Sequence, residues 1–456
     1  MVPSGSVHVK ECGFTGRLSP TSRKGRSGPM DEVEPHPPAE GSLRCRSCGA
    51  AEPSRFLSLG MMPLTDAYVA PEHVGHPEPR YPLDVAFCRA CSLVQILHSV
   101  PPEQIFETYS YFSSISETLL AHSRDHAVEL VERRRLGPES LVMEVASNDG
   151  YLLRHFVNQG IPVLGIDPAR GPADAAEAIG VPTLREFFGI ELARSLSADG
   201  RRADVLLANN VLGHVPDLNG FVEGIAAVLA DDGVAEIEVP YLRELVENLE
   251  FDTIYHEHLC YFSVTALDAL FRRHGLVLAR VRHLPIHGGS LRLTIARDAD
   301  DRSTVDAALY EEAAAGVDGF EYYRDFGVRV TELQQSLRAI LASFHVGGKR
   351  IAAYGAAAKG TVLLNSSGIG SDLVEFVADK SPYKQGKYMP GLQIPIRPPE
   401  AIVQEMPDYV VLLAWNLKNE VLREQRAYLE AGGRFVIPIP SPLVIDRDET
   451  EHAAGG

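Results

Sequence analysis

Short apolar runs alternate with amphipathic stretches in two separate parts of the chain. In residues 141–233 the runs LVMEVAS, IPVLGID and ADVLLANN read as strands. SNDGYLLRHFVNQG (147–160) and NGFVEGIAAVLADDG (219–233) have helical spacing, and GVAEIEVPYL adds a further strand. From residue 349 the runs KRIAAYG, LVEFVADKS, DYVVLLAWN and GRFVIPIP repeat the rhythm. Strands that alternate with helices predict a parallel sheet with ligand sites at the carboxyl ends of its strands. The pattern therefore predicts two α/β domains.

The first turn of the first α/β domain lacks the glycine-rich pattern of a phosphate-binding loop. It reads E-V-A-S-N-D-G, and Gly150 is its only glycine, so few backbone N–H groups are exposed for phosphate. Asp167 closes the second strand, where an acid can accept both hydroxyls of a ribose and suits the sulfonium of S-adenosylmethionine. Asp167-Pro168 could equally begin a turn or a helix cap, and Asn209-Asn210 could be a turn at a strand end.

Composition and charge narrow the class of protein. A chain of 456 residues has room for two to four domains. No apolar run is as long as a membrane span, and the N-terminus lacks an apolar secretory core, so we expect a cytoplasmic protein without a membrane partner. The formal charge of −18 would repel phosphate, which argues against nucleic acid as a partner.

Residues 1–40 differ from the rest of the chain because they are rich in Ser, Gly and Pro and poor in apolar side chains. This composition predicts a disordered tail. A phosphate-binding arm is the alternative.

Four of the six cysteines form two C-x-x-C pairs, Cys45 with Cys48 and Cys88 with Cys91. Two such pairs can close a tetrahedron of thiolates around zinc. Two disulfides or a chance spacing are the alternatives, and disulfides are uncommon in a chain without an export signal. Four sulfur ligands leave no position for water, so the predicted metal is structural.

The segment FDTIYHEHLCYFS (251–263) places Tyr255, His256, Glu257 and His258 in succession between apolar residues. Several proton-carrying groups in one place are what general acid–base catalysis requires. In an extended segment Tyr255 and Glu257 would face one way and the two histidines the other, whereas a helical turn would spread all four. A solvated polar turn or a metal-binding His-x-His pair are the alternatives.

Together these motifs resemble a known family, the zinc-containing deoxysugar C-methyltransferases of antibiotic pathways. The resemblance covers the chain from residue 45 to the C-terminus. Besides the cysteine pairs, it rests on YSYFSSIS (109–116), EVASNDGYLL (144–153), NNVLGHVPDLNGF (209–221), YHEHLCYFS (255–263), HGGSLR (287–292) and YGAAAKGTVLLN (354–365).

The resemblance implies an α/β fold with a small N-terminal zinc-binding module, a central Rossmann-like S-adenosylmethionine domain and a C-terminal Rossmann-like α/β domain. We expect a tail over 1–40, the zinc module over 41–105 and the methyltransferase domain over 106–300. A helical connector over 301–344 and a substrate-binding domain over 345–448 would follow. The protein would be a monomer or a weak homo-oligomer.

The resemblance also implies residue roles. Zinc would be held by Cys45, Cys48, Cys88 and Cys91. S-adenosylmethionine would contact Glu144, Asn148, Gly150, Asp167, Phe187 and Asn209. The catalytic group would be Tyr109, His214, Tyr255, Glu257 and His258.

Three further residues are predicted to contact substrate. His287 and Arg292 could contact sugar or phosphate, although the paired glycines of HGGSLR could equally form a tight turn between strands. Lys359, at a helix start in the degenerate fingerprint YGAAAKG, could neutralise a phosphate or be an exposed lysine. His214 could also serve only to cap the loop that follows it.

The predicted reaction is methyl transfer from S-adenosylmethionine to a carbon beside the ketone of a nucleotide-linked ketosugar, through an enolate. His258 is the predicted base because the unperturbed imidazole pKa lies near physiological pH. Tyr255, Tyr109 and His214 would donate to the enolate oxygen, and Glu257 would orient an imidazole or hold a substrate group. The alternatives are O- or N-methylation of the same sugar class, and an oxidoreductase that uses the C-terminal domain.

Overall fold

The computed structural model describes residues 43–101, 112–286 and 288–447. In chain order the strands are β1 (Ser54–Met62), β2 (Tyr81–Phe87), β3 (Val94–Ile96), β4 (Val142–Val145), β5 (Val163–Ile166), β6 (Thr183–Leu184), β7 (Ala203–Asn209), β8 (Leu229–Pro240), β9 (Cys260–Tyr261), β10 (Val277–Leu284), β11 (Ser290–Ala296), β12 (Ile351–Tyr354), β13 (Val377–Ala378), β14 (Ile396–Arg397), β15 (Tyr409–Leu412), β16 (Arg434–Ile437) and β17 (Leu443–Ile445).

The helices surround these strands. They are α1 (Glu117–Arg134), α2 (Arg154–Val157), α3 (Arg170–Ala178), α4 (Ile190–Ala198), α5 (Leu218–Val228), α6 (Leu242–Glu247), α7 (Val264–Arg273), α8 (Ser303–Ala315), α9 (Phe326–Val346), α10 (Ala358–Ser366), α11 (Glu400–Glu405), α12 (Lys418–Glu424) and α13 (Arg426–Glu430). Within the described part of the chain, no helix combines the length and apolarity needed to cross a membrane.

The central sheet has the order β10-β11-β8-β7-β4-β5-β6, and the strands from β8 to β6 are parallel. Its middle strands are buried, β4 along its whole length, as expected when helices cover both faces of a parallel sheet. Ligands of such sheets bind where the strands end. The ends of β4, β5 and β7 therefore mark the first candidate binding edge.

The C-terminal sheet has the order β14-β13-β12-β15-β16-β17 and is parallel except for β17. The turn after β12 leads into α10, and a 3₁₀ turn, Trp415–Leu417, follows β15. These two turns form a second carboxyl edge. Helices α8 and α9 occupy the stretch between the two α/β sheets in the sequence.

The small N-terminal sheet is antiparallel in the order β1-β2-β3-β9. Its fourth strand, β9, does not come from the cysteine-bearing segment but follows directly after His258 and Leu259 in the chain. One apolar core contains residues from all three sheets. The cysteine-bearing module is therefore joined to the segment that carries the predicted catalytic residues.

Two predicted helices are shorter in the structure than in the sequence analysis. The helix predicted over 219–233 ends at Val228, because Leu229 pairs with Ala203 and begins β8. Of the stretch 147–160, predicted to turn into a helix, only Arg154–Val157 is α-helical. The residues before it cannot continue a helix, because Asn148 and Gly150 have positive φ values of 49° and 74°.

Candidate active site

The four cysteines of the two C-x-x-C pairs meet at one point, with their sulfur atoms all within 4.8 Å of one another. The Cys45 and Cys91 sulfurs are 3.5 Å apart, and those of Cys48 and Cys88 are 3.6 Å apart. A zinc tetrahedron with Zn–S bonds of about 2.3 Å requires sulfurs about 3.8 Å apart. Burial raises the pKa of the Cys88 thiol, so a cation would stabilise the Cys88 thiolate. The cluster fits a closed structural zinc site.

The loop after β4 carries backbone strain at the first candidate edge. Ala146, Asn148 and Gly150 all have positive φ, which is costly for residues with a side chain. At Gly150 a Cβ atom would also lie 3.0 Å from Val181, so this glycine serves the turn itself. The backbone N–H of Ser113 donates to the Asn148 side chain at 2.9 Å, which joins the segment before α1 to this loop.

Several buried polar atoms at this edge have no hydrogen-bond partner among the described residues. They are Glu144 Oε2, Ser147 Oγ, Asp149 Oδ1, Asn209 Oδ1 and Asn210 Oδ1. Such atoms are costly unless a ligand or water satisfies them. Burial, and then the neighbouring Asp167, raise the pKa of Glu144 well above its usual range. A ligand with donor groups and positive charge suits this edge, which is the chemistry of S-adenosylmethionine.

Asp167 and Phe187 lie at the same end of the sheet. The carboxylate of Asp167 accepts hydrogen bonds from the backbone N–H groups of Asn148 and Ala169, at 2.9 and 2.8 Å. Asp167 therefore stabilises the turns around it, as one alternative in the sequence analysis proposed. Each carboxylate oxygen can still accept a further hydrogen bond from a ligand. Phe187, whose surface is 66% exposed, lines an open cleft of about 530 Å³ with Pro168 and Arg170.

The segment Tyr255–His258 forms a turn rather than an extended strand, and this turn brings Tyr255 and His258 together. Their ring centroids are 3.9 Å apart, and the ring of His214 meets His258 edge-on at 4.7 Å. His258 Nδ1 donates to the carbonyl of Thr253 at 2.8 Å. Because Nδ1 carries the proton in the neutral ring, Nε2 is the basic nitrogen.

His214 lies in the 3₁₀ turn Leu212–His214, shortly after Asn209 ends β7. The N-cap of α5 is Asp217, whose side chain accepts from Gly220 N, so His214 does not cap this helix. Burial lowers the pKa of His214 to about 4, so its imidazole is neutral near pH 7. A neutral imidazole can donate one hydrogen bond without carrying charge.

Glu257 is buried beside the N-terminal module. Thr65 Oγ1 donates to Glu257 Oε1 at 3.1 Å, whereas Oε2 has no partner among the described residues. Burial, and then the charge of Asp66, raise the pKa of Glu257 to about 7. This carboxyl group can therefore hold or release a proton near neutral pH.

His256 faces away from this group. Its ring is fully buried, its Nε2 donates to the carbonyl of Pro82 at 3.2 Å, and its ring meets the edge of Tyr81. The two histidines therefore do not form a His-x-His metal pair. Since β9 also pairs with β3, the zinc module contacts both the YHEH turn and the strand that follows it.

The predicted substrate residues occupy different environments. Arg292 on β11 is buried and donates to the carboxylate of Glu238 on β8, so its charge is already paired within the sheet. Gly288 and Gly289 form the turn between β10 and β11, as the turn alternative predicted. His287 and Tyr109 lie outside the described residues.

Lys359 lies near the start of α10, at the second carboxyl edge. Its Nζ donates to Asn416 Oδ1 at 3.0 Å and lies 4.5 Å from the centroid of the Trp415 ring. Lys359 is thus neither an extended surface lysine nor turned towards open solvent. Its role in binding a substrate phosphate stays a prediction.

The sequence analysis did not predict a role for several residues that lie around the YHEH turn. Thr65 and Tyr68 follow β1, and the Tyr68 hydroxyl donates to the Ala356 carbonyl at 2.6 Å. Asp252 and Trp415 are hydrogen-bonded across 163 positions of the chain. The polar run TDAY (65–68) after a strand was the one local signal, because the other contacts arise only when the domains pack together.

The described residues thus combine a parallel α/β sheet that has unsatisfied polar atoms at its carboxyl edge, a histidine–tyrosine cluster and a four-cysteine site that fits zinc. Three family models match the chain. A putative zinc-binding domain matches residues 45–106, a methyltransferase domain matches 120–281, and a C-methyltransferase C-terminal domain matches 285–440.

Two curated relatives of the chain are also methyltransferases. The chain is 37% identical over 409 residues to C-methyltransferase NovU of Streptomyces niveus, which covers 89% of this chain and 97% of the relative. It is also 33% identical over 123 residues to a ubiquinone biosynthesis O-methyltransferase of Methylobacterium sp. (strain 4-46), over 25% of this chain and 48% of that protein. The chain therefore belongs to the C-methyltransferase family. It is an S-adenosylmethionine-dependent C-methyltransferase with a structural zinc site, which confirms the predicted family, fold class and cofactors.

Solved structures are similar over a smaller part of the chain. Magnesium protoporphyrin IX methyltransferase from Synechocystis PCC 6803, with bound S-adenosylmethionine, is 15% identical and covers 43% of this chain and 89% of that chain, with a TM-score of 0.31.

Proposed function

We propose that the protein methylates the carbon beside the ketone of a nucleotide-linked 4-keto-deoxysugar, with thymidine diphosphate as the nucleotide, in the cytoplasmic synthesis of an antibiotic. The sugar, the nucleotide and the pathway come from the motif resemblance. Similarity to C-methyltransferase NovU over 89% of the chain supports C-methylation over the O- and N-methylation alternatives and over an oxidoreductase. Bound S-adenosylmethionine supplies the electrophilic methyl group.

The observation that carries this proposal is the hydrogen bond from His258 Nδ1 to the Thr253 carbonyl. It leaves Nε2 as the basic nitrogen of the ring, as proton abstraction from carbon requires. The ring is stacked against Tyr255 and next to His214, so its orientation is restricted. In our proposal His258 Nε2 removes the proton beside the ketone, and the electron pair moves onto the ketone oxygen as an enolate.

Charge that develops on the enolate oxygen requires donors. Tyr255 and His214 are the candidates among the described residues, and Tyr109 is a third. Since the pKa of His214 is lowered to about 4 by burial, this side chain would donate as a neutral imidazole. A neutral donor stabilises the oxyanion without repelling the protonated His258.

Glu257 completes the proposed group. Its pKa of about 7 and its Oε2, which has no partner among the described residues, suit a carboxyl group that holds a sugar hydroxyl. Arg292 is not included in this substrate contact, because its charge is paired with Glu238. Lys359 remains a candidate for contact with the substrate phosphate. His287 remains a candidate for contact with the sugar.

The test is His258→Gln, assayed with thymidine diphosphate-linked 4-keto-6-deoxysugars and with NMR of the product. Loss of a general base lowers turnover by about 10²- to 10⁴-fold. Affinity for S-adenosylmethionine, measured by calorimetry, should stay within about twofold because His258 is not among the proposed cofactor contacts. The new methyl resonance should arise from a carbon-bound methyl in the wild-type product.

His345→Gln is the matched control, since His345 is exposed at the end of α9. It should turn over like the wild type. Near-normal turnover of His258→Gln would reject His258 as the base, and an oxygen- or nitrogen-bound methyl group would reject C-methylation of this substrate.

A further inference from the structure

A partly buried hydrogen bond joins the C-terminal domain to the turn just before the catalytic segment. Trp415 Nε1 donates to Asp252 Oδ2 at 2.7 Å. Asp252 is fully buried in the 3₁₀ turn Phe251–Thr253 of the methyltransferase domain, whereas Trp415 follows β15 of the C-terminal sheet. The two residues therefore connect two domains, with the acceptor buried and the indole partly exposed.

The charges around this bond favour an ordered arrangement. Lys359 lies over the Trp415 ring at 4.5 Å and is held by Asn416, which is a cation–π geometry. Burial raises the pKa of Asp252 to about 6, and the positive charge of Lys359 opposes that rise. Near neutral pH Asp252 is therefore mainly ionised, and a charged acceptor makes the indole hydrogen bond strong.

The turn that Asp252 anchors ends at the carbonyl that orients the proposed base. Thr253 follows Asp252, and its carbonyl oxygen accepts from His258 Nδ1 at 2.8 Å. The Thr253 hydroxyl donates to the carbonyl of Glu250 at 2.7 Å, so the turn moves as a unit. A shift of Asp252 would displace the Thr253 carbonyl and weaken the constraint on the His258 tautomer.

We propose that Trp415 and Asp252 are positioning residues, through which the C-terminal domain fixes the orientation and tautomer of His258. The proposal rests on the proposed function as far as His258 acts as the base. Neither residue touches the reacting atoms in this account. Their effect reaches the reaction only through the Thr253 carbonyl.

Another bond between the same two domains provides a matched control. Thr118 Oγ1 on α1 donates to Glu420 Oε2 on α12 at 2.7 Å. It also joins the methyltransferase and C-terminal domains, but it has no contact with the turn 251–253. Thr118→Val thus removes an interdomain hydrogen bond of the same length as the Trp415–Asp252 bond, and its loss should not move the Thr253 carbonyl that orients His258.

The first measurement is the ¹⁵N chemical shifts of the His258 imidazole, assigned by comparison with His258→Gln. Wild-type protein should show a protonated Nδ1 and an unprotonated Nε2. Trp415→Phe, which keeps a ring but loses the donor, should move both shifts towards a tautomer mixture. Asp252→Asn keeps an acceptor for the indole and should preserve the wild-type shifts, whereas Asp252→Ala should not.

The second measurement separates kcat from KM in the methylation assay. Trp415→Phe and Asp252→Ala should lower kcat by about 10- to 100-fold, since small misplacements of a catalytic group have effects of this size. KM should change less than about threefold. Asp252→Asn should restore kcat to within about threefold, and Thr118→Val should match the wild type.

The outcomes are separable from those of the proposed function. Wild-type ¹⁵N shifts in Trp415→Phe, or an equal change in Thr118→Val, would overturn the positioning role whatever reaction the protein catalyses. Altered shifts combined with unchanged kcat would also overturn it, because the tautomer would then not matter for turnover. If His258→Gln keeps its activity while the shifts respond, the proposed base fails and the structural link remains.

Discussion

The carboxyl edges of the two parallel sheets are built alike but are used differently. At the central edge, Glu144 Oε2 and Asn209 Oδ1 are buried without a partner among the described residues. At the C-terminal edge, Lys359 and the Ala356 carbonyl are hydrogen-bonded to Asn416 and to Tyr68 and Lys384. Buried polar atoms without a protein partner mark an edge that can bind a ligand. Polar groups that are hydrogen-bonded to another domain mark an edge that holds the domains together. The same architecture thus serves binding at one place and assembly at the other.

The zinc module contacts the second carboxyl edge through Tyr68 and the YHEH turn through Thr65, so its removal gives the largest expected effect. Cys88→Ser should lose zinc and unfold the module, because small metal domains depend on their metal for folding. Since β3 pairs with β9, which follows His258, turnover should fall more than about 100-fold. Zinc content by mass spectrometry and turnover test this, with exposed Ser58→Ala as the control. Normal turnover without zinc would contradict the link between module and catalytic turn.

Glu144→Gln tests the central edge. The variant keeps the shape of the side chain but cannot ionise to balance the sulfonium charge, so affinity for S-adenosylmethionine should fall by about 10-fold. Because burial raises the pKa of Glu144, its neutral replacement should leave the free energy of unfolding unchanged or higher. Calorimetry and urea unfolding measure the two effects. A large loss of stability with unchanged affinity would make Glu144 structural.

Lys359→Met tests the second edge. In contrast to Glu144→Gln, it should lower the stability of the protein and leave the affinity for S-adenosylmethionine unchanged. Removal of the cation leaves Asp252 and Glu250 without its charge, so the free energy of unfolding should fall by about 1–3 kcal/mol. Affinity for S-adenosylmethionine should not change. If KM for the nucleotide-linked sugar rose more than tenfold at unchanged stability, Lys359 would bind substrate phosphate, as the sequence analysis predicted.

Glu257 gives an effect that appears only as the pH changes. Its pKa is about 7 in the folded protein, against 4.5 for the ordinary carboxyl group, so between these values the folded state binds more protons. The free energy of unfolding therefore decreases as pH rises from about 5 to 8, by at most about 3 kcal/mol from this group. Glu257→Gln should flatten that decrease in urea unfolding, and exposed Glu139→Gln should not. Parallel pH curves for Glu257→Gln and wild type would contradict the raised pKa.

The comparison also shows how far the sequence predicts this molecule. Strands β4, β5 and β7 follow directly from their apolar runs, and the zinc ligands follow from two local C-x-x-C pairs, because both signals lie within a few residues. The helix predicted after β4 is present but short, and the positive φ at Asn148 in the turn before it reflects the loop's tertiary contacts rather than its propensity.

Contacts between distant segments could not be predicted from the pattern. Thr65 and Glu257 are 192 positions apart, and Asp252 and Trp415 are 163 apart. Their pairing depends on how the domains pack, which apolar periodicity does not encode. The sequence predicted His258 and Glu257 as chemical groups, and the structure adds the tautomer of one and the raised pKa of the other.

Hydrogen exchange beside the substrate ketone tests the central claim most directly. The ketosugar nucleotide would be incubated in D₂O with the wild-type enzyme and S-adenosylhomocysteine in place of the methyl donor, and followed by NMR. The account predicts enzyme-dependent deuterium incorporation at that carbon in the wild type and its loss in His258→Gln. Equal incorporation by both proteins, or none by the wild type, would contradict proton abstraction by His258.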